Sequence, residues 1–496
     1  MKSSRALLIL ALFLISTSRA VPALLNNAVF STDSWPLIRL TERLIENPEI
    51  RVFSLRDHHV KWPLAVITSL VFTEIVSVDV EFFYAYLGAP VLVLVLAVLL
   101  YVFLSKLTES ALRVLGLLAL LIYPPFVVFT SAYLKEVYAY PLALLVLVLT
   151  LTCTGKSRWI AVLVGSIALV LSHPLTALVT LVFTATLVFV ELVDRIKYSG
   201  VFTVNCKSAL LLVLVLGVLY LVHAVFIGVY YVFNLLDIVV LGAYSVVLYG
   251  VYSALYINKR SSTTLSVLII VVLSVIYALL TEGVEIHHNI TLYGLPLVLL
   301  SVSLSDLGSR ESRLSASFLL PVLVGVFYTL TYAKWLVTIT HRFLNYMVFP
   351  VALNTIILSR IKPRVAGLVV LVFTVTSCVV LYTVSTGRDP FTFYWRYTVA
   401  DTVLGDFISE HSTRSLTASV KYQYLLGSDV VNVNLNVLSA LRTCSLGENT
   451  VLIINSEEFV YGVPVTPLHY IKPTTSILQC SSVVYSSLVN YVVAWT

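Results

Sequence analysis

Charge is what this chain has least of. Of its 496 residues only 11% are Asp, Glu, Lys or Arg, while 59% are hydrophobic. A soluble domain carries roughly 25% charged residues, so an ordinary water-soluble globule is excluded. Cysteine is also scarce, at five residues, and no pair has the short spacing of a zinc site. No glycine-rich phosphate loop of the Walker type occurs, which removes an ATP-driven pump. The alternation of apolar and polar residues that marks barrel strands is missing as well, so a membrane β-barrel is excluded.

What the chain does have is a long series of apolar runs, most of about 15 residues or more, each near the length of a membrane span. Mean hydropathy is +0.98. The expected fold is an all-α polytopic membrane protein. The formal net charge of +6 does not imply nucleic acid as a partner, because cytoplasmic loops of membrane proteins collect Lys and Arg. Ala6 to Ile15 forms an apolar core behind Lys2 and Arg5, and weaker hydropathy continues to Leu25. It reads as a first transmembrane helix acting as a signal-anchor (1–25); a cleaved signal peptide ending at the poor site Ser18-Arg19-Ala20 is the other reading. Either puts the amino terminus inside and Asn26 outside.

Residues 26–86 then form an expected outer loop with a helix along the membrane surface. Pro63 to Val80 is apolar but carries Glu74 and Asp79. If it does not cross, later spans fall near 88–104, 114–129, 137–151, 159–172, 175–191, 209–229, 238–256, 264–280, 290–304, 316–333, 343–358 and 365–384, about thirteen in all with the first helix. The inner ends then hold sixteen Lys and Arg, from Lys2 through Lys106, Arg158, Lys207, Lys259 and Arg310 to Arg364, and the short outer loops only Lys135, Lys334 and Arg342. That asymmetry obeys the positive-inside rule, and letting Pro63–Val80 cross would invert it. Helix breaks are expected at Tyr123-Pro124-Pro125 and at Ser172-His173-Pro174. After the helix bundle (87–384), residues 385–496 turn polar and read as a small α/β domain outside the membrane. Val399–His411 has helical periodicity there, Val430–Val437 and Thr450–Asn455 read as strands, and Cys444 and Cys480 could pair or stay free.

With sides assigned, the ionisable residues gather at one face. Asp33 lies in the first outer loop, Lys135-Glu136 in the second and His173 in the third. Glu282, Glu285, His287 and His288 lie in the fifth and His341-Arg342 in the sixth. Ionisable residues at membrane depth are costly and usually face a cavity, so this face reads as a site open to the exterior. Asp33 has a second reading as the cap of a helix beginning at Pro36. The adjacent pairs His58-His59 and His287-His288 read as surface histidines, since metal-binding pairs on a helix need i,i+3 or i,i+4 spacing.

Taken as a set, these residues resemble the GT-C superfamily of integral membrane glycosyltransferases. The likeness rests on an early Asp in Thr32-Asp33-Ser34-Trp35, Trp62-Pro63 leading into a surface helix, and Lys135-Glu136 after the third span. It also rests on Ser172-His173-Pro174-Leu175-Thr176 and on His341-Arg342-Phe343-Leu344 opening a late span. The resemblance implies transfer of a sugar from a polyprenyl-phosphate donor to a glycan, lipid or protein acceptor at the outer face of the cytoplasmic membrane. It implies Asp33 and Glu136 as catalytic residues, and Lys135, His173, His341 and Arg342 as substrate-binding ones. The first loop has no strict Asp-X-Asp, so a divalent metal (Mg or Mn, on Asp33 and Glu136) is left open. The tail lacks Trp-Trp-Asp, which disfavours transfer of a whole oligosaccharide to Asn. A secondary transporter is the opposing class, but no internal repeat is visible and the charges avoid mid-membrane. A lipid-linked glycan polymerase or ligase would share the outward site.

The topology is tested by thiol labelling of single-Cys variants from outside. Labelling is expected at Ser34, Glu285 and Ser456 and not at Arg158 or Arg310. Exterior labelling at Arg310 would overturn the thirteen-span order.

Overall fold

The computed structural model describes residues 2–49, 58–108, 110–153, 155–198, 206–228, 235–258, 309–332, 340–389, 392–411, 416–427, 430–432, 451–466, 469–471, 473, 482–486 and 490–494. These are mostly helical. The chain opens with α1 (Lys2–Thr17), a single 3-10 turn and α2 (Val21–Asn26), and the stretch Leu8–Asn26 is long and apolar enough to cross a membrane. Next come α3 (Trp35–Glu46) and α4 (Leu64–Val76). At 13 residues, α4 is short for a crossing at about 1.5 Å per residue. Asp79 caps the turn that follows, its Oδ1 accepting from the Phe82 amide at 2.9 Å, so it is a structural carboxylate.

The bundle runs through α5 (Gly88–Ser105), α6 (Ser110–Leu121), α7 (Pro124–Phe129), α8 (Lys135–Thr152), α9 (Arg158–Ser172), α10 (Pro174–Tyr198), α11 (Cys206–His223) and α12 (Leu235–Asn258). It continues with α13 (Arg310–Phe327), α14 (Thr340–Tyr346), α15 (Val348–Ile361) and α16 (Pro363–Ser385). Among the described residues six helical stretches are long and apolar enough to span a bilayer, the others beginning at Val80, Lys135, Pro174, Cys206 and Pro363. This is a multi-pass membrane protein. Helices α6 and α7, like α14 and α15, follow one another as two short pieces. The expected spans at 264–280 and 290–304 lie outside the described residues, as do Glu282, Glu285, His287 and His288.

Both expected breaks are present, and they are resolved differently. At Tyr123-Pro124 the last carbonyls of α6 lose their helical partners, because proline has no N–H to offer. Arg19 takes the carbonyl of Leu121 by its Nη2, and Ser377 takes that of Ile122. The Arg19 Nε also donates to Thr130 Oγ1 at 2.8 Å, and the whole residue is only 1% exposed. At Ser172-His173-Pro174, by contrast, His173 itself is extended (φ −158°, ψ 123°), and its ring faces a cavity.

The tail forms a mixed sheet around helices. Its elements are α17 (Val399–His411), β1 (Leu416–Thr417), α18 (Val420–Leu426), β2 (Val431–Asn432), β3 (Val451–Asn455), α19 (Ser456–Tyr461), β4 (Val463–Thr466), β5 (His469–Ile471), β6 (Ser482–Ser486) and β7 (Asn490–Ala494). The strand order is β2-β1-β3-β7-β6, with β1 parallel to β2 and β3, and β7 antiparallel to β3 and β6; β4 and β5 pair separately. Of the expected strand Val430–Val437 only Val430–Asn432 is described, with Val431–Asn432 in strand, and Cys444 and Cys480 lie outside the described residues. This sheet does not stand alone. Trp35, Leu37, Ile38 and Val66 of the first loop share one buried cluster with Tyr397, Leu404, Tyr422, Ile453 and Val492.

Two expectations about the first loop are corrected. Ser34 is fully buried, packed where α3 meets the chain before α8, so a thiol there would not react; Glu49, exposed, is the usable labelling position. His59 is buried rather than at the surface, because its 3-10 turn folds inward against the bundle.

Arg19 ties the first helix to α6 and α7, so that helix is integral to the fold. Intact mass of the purified protein is expected to show no cleavage after Ala20. Arg19→Met should cost about 2 kcal/mol or more, since it strands buried acceptors, measured by thermal unfolding in detergent. A cleaved mature chain of unchanged stability would refute this role.

Candidate active site

Asp33 sits in a 3-10 turn, Thr32–Ser34, directly before α3. The turn is entered through Ser31, which has φ +85° and ψ 132°, a region costly for any residue with a Cβ. That strained residue is 1% exposed, and its amide donates to the Trp395 carbonyl at 2.8 Å. The α3 cap position is Ser34, and no side chain caps that helix. Asp33 is therefore not a helix cap. Its carboxylate, 38% exposed, points to Arg342, whose Nη2 lies 3.6 Å from Oδ2.

Lys135 and Glu136 open α8, whose N-cap Leu134 offers no side-chain bond. The two side chains part company. Lys135 lies over the ring of Trp62, 5.3 Å from its centroid. Glu136 is 2% exposed, with its Oε1 accepting from the Tyr140 hydroxyl one turn along at 2.7 Å. Its Oε2 lies 3.5 Å from Arg342 Nη1 and 4.0 Å from His173 Nε2. A carboxylate this deep needs a cation beside it, and the second arm of the Arg342 fork supplies one.

His173 is held by the start of α10. Its Nδ1 accepts from the Thr176 amide at 3.3 Å and lies 2.9 Å from Thr176 Oγ1, which meets the Tyr346 hydroxyl at 2.8 Å. With Nδ1 used as an acceptor, the proton of the neutral ring belongs on Nε2, the nitrogen facing Glu136. Arg342 is placed by α14. Phe343 beside it packs where Gly325 of α13 has no side chain; a Cβ there would come within 2.4 Å of the Phe343 ring. The fold thus brings Asp33, Glu136, His173 and Arg342 together. The side chain of His341 lies outside the described residues.

All four, with Lys135, His59, Trp62 and Tyr424, line one cavity of about 570 Å³. Its chemistry changes from end to end. Beyond the charged residues the walls are mainly apolar, with Leu175, Leu178, Val179 and Val182 on one face of α10, Leu241 of α12 and Pro321 and Val324 of α13, interspersed with the hydroxyls of Tyr220, Ser245, Tyr249, Tyr328 and Thr329. The α10 residues recur at i, i+3, i+4 and i+7, so a single helical stripe lines that wall.

Among the described residues no three His, Cys, Asp or Glu side chains group as metal ligands. The space between the two carboxylates is taken by the Arg342 guanidinium. This donor set does not fit a divalent ion in the present arrangement.

Part of the surrounding shell is not marked by charge or composition. Glu136–Tyr140 and Arg342–Tyr346 are i,i+4 pairs and His173–Thr176 an i,i+3 pair, so helical spacing carried a signal for these partners. No such signal marks His59 or Tyr424, which arrive from distant segments.

No family model matches this chain, and no curated protein matches it. Among solved structures the chain is similar to the crystal structure of ArnT from Cupriavidus metallidurans bound to undecaprenyl phosphate. The likeness covers 99% of this chain and 98% of that one, at 11% identity and a TM-score of 0.44. A likeness of that degree leaves function to be argued from the site's own geometry.

The bridge sets an energetic expectation. Arg342→Met leaves the Glu136 carboxylate buried without its cation and should cost about 3 kcal/mol. Combining it with Glu136→Gln should return more than about 1 kcal/mol of that loss. Asp33→Asn, at the exposed arm, should cost less than about 1 kcal/mol. A double-mutant cycle on thermal unfolding checks all three, and strict additivity of Arg342 with Glu136 would refute the bridge.

Proposed function

We propose that this protein is a membrane glycosyltransferase that moves a sugar from a polyprenyl-phosphate donor to a hydroxyl acceptor at the outer face of the cell membrane. One observation carries the reading: a single cavity joins a cluster of two carboxylates and two cations to a mainly apolar wall contributed by α10, α12 and α13. A polyprenyl-phosphate sugar has the same division, a charged phosphate and polar sugar on a long hydrocarbon chain. In this reading the chain crosses the membrane about thirteen times, with its amino terminus inside and residues 385–496 outside.

The chemistry assigns a task to each residue. The acceptor oxygen attacks the anomeric carbon, the bond from that carbon to the phosphate oxygen breaks, and the electron pair leaves on polyprenyl phosphate. The acceptor proton passes to Asp33, the more exposed carboxylate, acting as general base. Arg342 and Lys135 hold the phosphate and stabilise the charge that builds on it. The Arg342 contacts of 3.5 and 3.6 Å are longer than the 2.7–2.9 Å or so of a tight charged hydrogen bond. In this reading an arriving phosphate competes with Asp33 for the Arg342 guanidinium, which leaves Asp33 available for proton transfer. Glu136, buried and braced by Tyr140, works as a positioning residue through Arg342, and His173 braces that pair. In this reading Arg342 supplies at the phosphate the positive charge that a divalent metal would otherwise bring. The sugar moved in this reading is a hexose or a pentose.

The test uses purified protein, labelled undecaprenyl-phosphate hexoses and a membrane extract, and follows release of undecaprenyl phosphate. Asp33→Asn keeps the size of the side chain and should leave the fold intact. It should still bind undecaprenyl phosphate, with turnover down on the order of 10²-fold or more. Equal release from wild type and variant would remove Asp33 as the base, and no release from wild type would remove the reading.

A further inference from the structure

One hydroxyl at the charged end of the cavity comes from neither the bundle nor the first loop. It belongs to Tyr424 on α18, in the tail. Lys421, Tyr422 and Leu425 on that helix are buried, as i, i+1 and i+4 positions sharing one face. Tyr424, at the border of that face and partly exposed, lines the cavity with Asp33 and Arg342.

The helix that carries it is held from two sides. On the tail side the Lys421 ammonium pairs with Asp401 at 3.1 Å, and Tyr422 donates to the same carboxylate at 2.9 Å. Lys421 and Asp401 are both almost wholly buried, a pairing that fixes geometry because neither charge can be left alone. On the loop side Arg39 of α3 donates through one nitrogen to the carbonyls of Tyr424 and Leu425, the latter at 2.7 Å. A guanidinium on two successive carbonyls sets the backbone of Tyr424 relative to the turn that carries Asp33. The negative charge of Asp33, with burial, raises the Tyr424 pKa well above the ordinary phenol value. The residue therefore remains a hydrogen-bond donor throughout the neutral range.

The mainly apolar wall and the phosphate-holding cations account for the donor side of the cavity, and Tyr424 faces Asp33 from the tail side. Resting on the donor reading above, we infer that Tyr424 is an acceptor-binding residue. Its hydroxyl donates to a second oxygen of a polyhydroxyl acceptor, so that the neighbouring hydroxyl is presented to Asp33. The acceptor class this fits is a sugar-bearing molecule with adjacent oxygens, on a lipid or on a water-soluble glycan.

The experiment compares full-length wild type with Tyr424→Phe, a change that removes one oxygen and keeps the ring. Both receive labelled undecaprenyl-phosphate hexoses with three partners: water alone, the organic phase of a membrane extract, and its delipidated aqueous phase. Tyr424→Phe should lower kcat/KM for the acceptor-bearing phase about 10-fold, mostly through KM, as expected for one lost hydrogen bond of about 1.4 kcal/mol. Release of undecaprenyl phosphate to water alone, and binding of undecaprenyl phosphate itself, should be unchanged. Whichever phase supports transfer identifies the lipid or the soluble source. The inference falls if the variant matches wild type in every arm, or if binding and all arms fall together, which would make Tyr424 a donor-side or structural group. It also falls if wild type releases product equally with and without extract. Absence of release from wild type in all arms overturns the donor reading first, so the two failures are distinguishable.

Discussion

A carboxylate buried among apolar helices is tolerated only beside a compensating charge, and Glu136 imposes that condition on this protein. Arg342 meets it from a helix far along the chain. To do so α14 must lie close to α13, which Gly325 permits by leaving space for the ring of Phe343. Another nitrogen of the same guanidinium meets Asp33. Tyr140, His173, Thr176 and Tyr346 extend the arrangement as a hydrogen-bonded shell behind the fork. The positions of the first loop, of α8, of the α9–α10 break and of α14 are thereby coupled through one charged group.

The two interrupted helices show why a broken backbone inside a membrane protein need not mark a site. Both breaks free polar groups that lipid cannot satisfy. At Pro124 the freed carbonyls are closed off by Arg19 and Ser377, and the result is a rigid joint between the first helix and the bundle. At Pro174 the break turns His173 toward the cavity, and the start of α10 is occupied by that ring through Thr176. Partner supply from neighbouring helices, and not the proline, decides between a joint and a cavity wall.

The tail and the first loop are better regarded as one body. Their shared cluster of buried aromatic and aliphatic residues, the Arg39 contacts to α18 and the Ser31–Trp395 hydrogen bond join them across the mouth of the cavity. Burial of this kind is worth roughly 1.5–3 kcal/mol per large side chain, far more than the exposed ion pair at Asp33. The charged site is thus positioned by apolar packing around it, and its own electrostatics tunes geometry that the packing has already set.

Much of this was legible in the residues themselves. The scarcity of charge required a membrane protein, because so few polar groups cannot cover a soluble surface of this size. Helix breaks at Pro124 and Pro174 were legible because proline lacks an amide proton wherever it stands. Asp33, Lys135, Glu136, His173 and Arg342 stood out because isolated ionisable groups in apolar runs are costly enough to need a reason, and Val399–His411 followed from its period alone. What only the tertiary structure decided is how distant segments meet. That Asp33 pairs with Arg342 instead of capping α3, that His59 and Ser34 are buried, and that Tyr424 enters from the tail are facts about contacts between remote parts of the chain. Local propensity and hydropathy are sums over neighbours in sequence, and they hold no record of a contact whose energy comes from a partner hundreds of residues away.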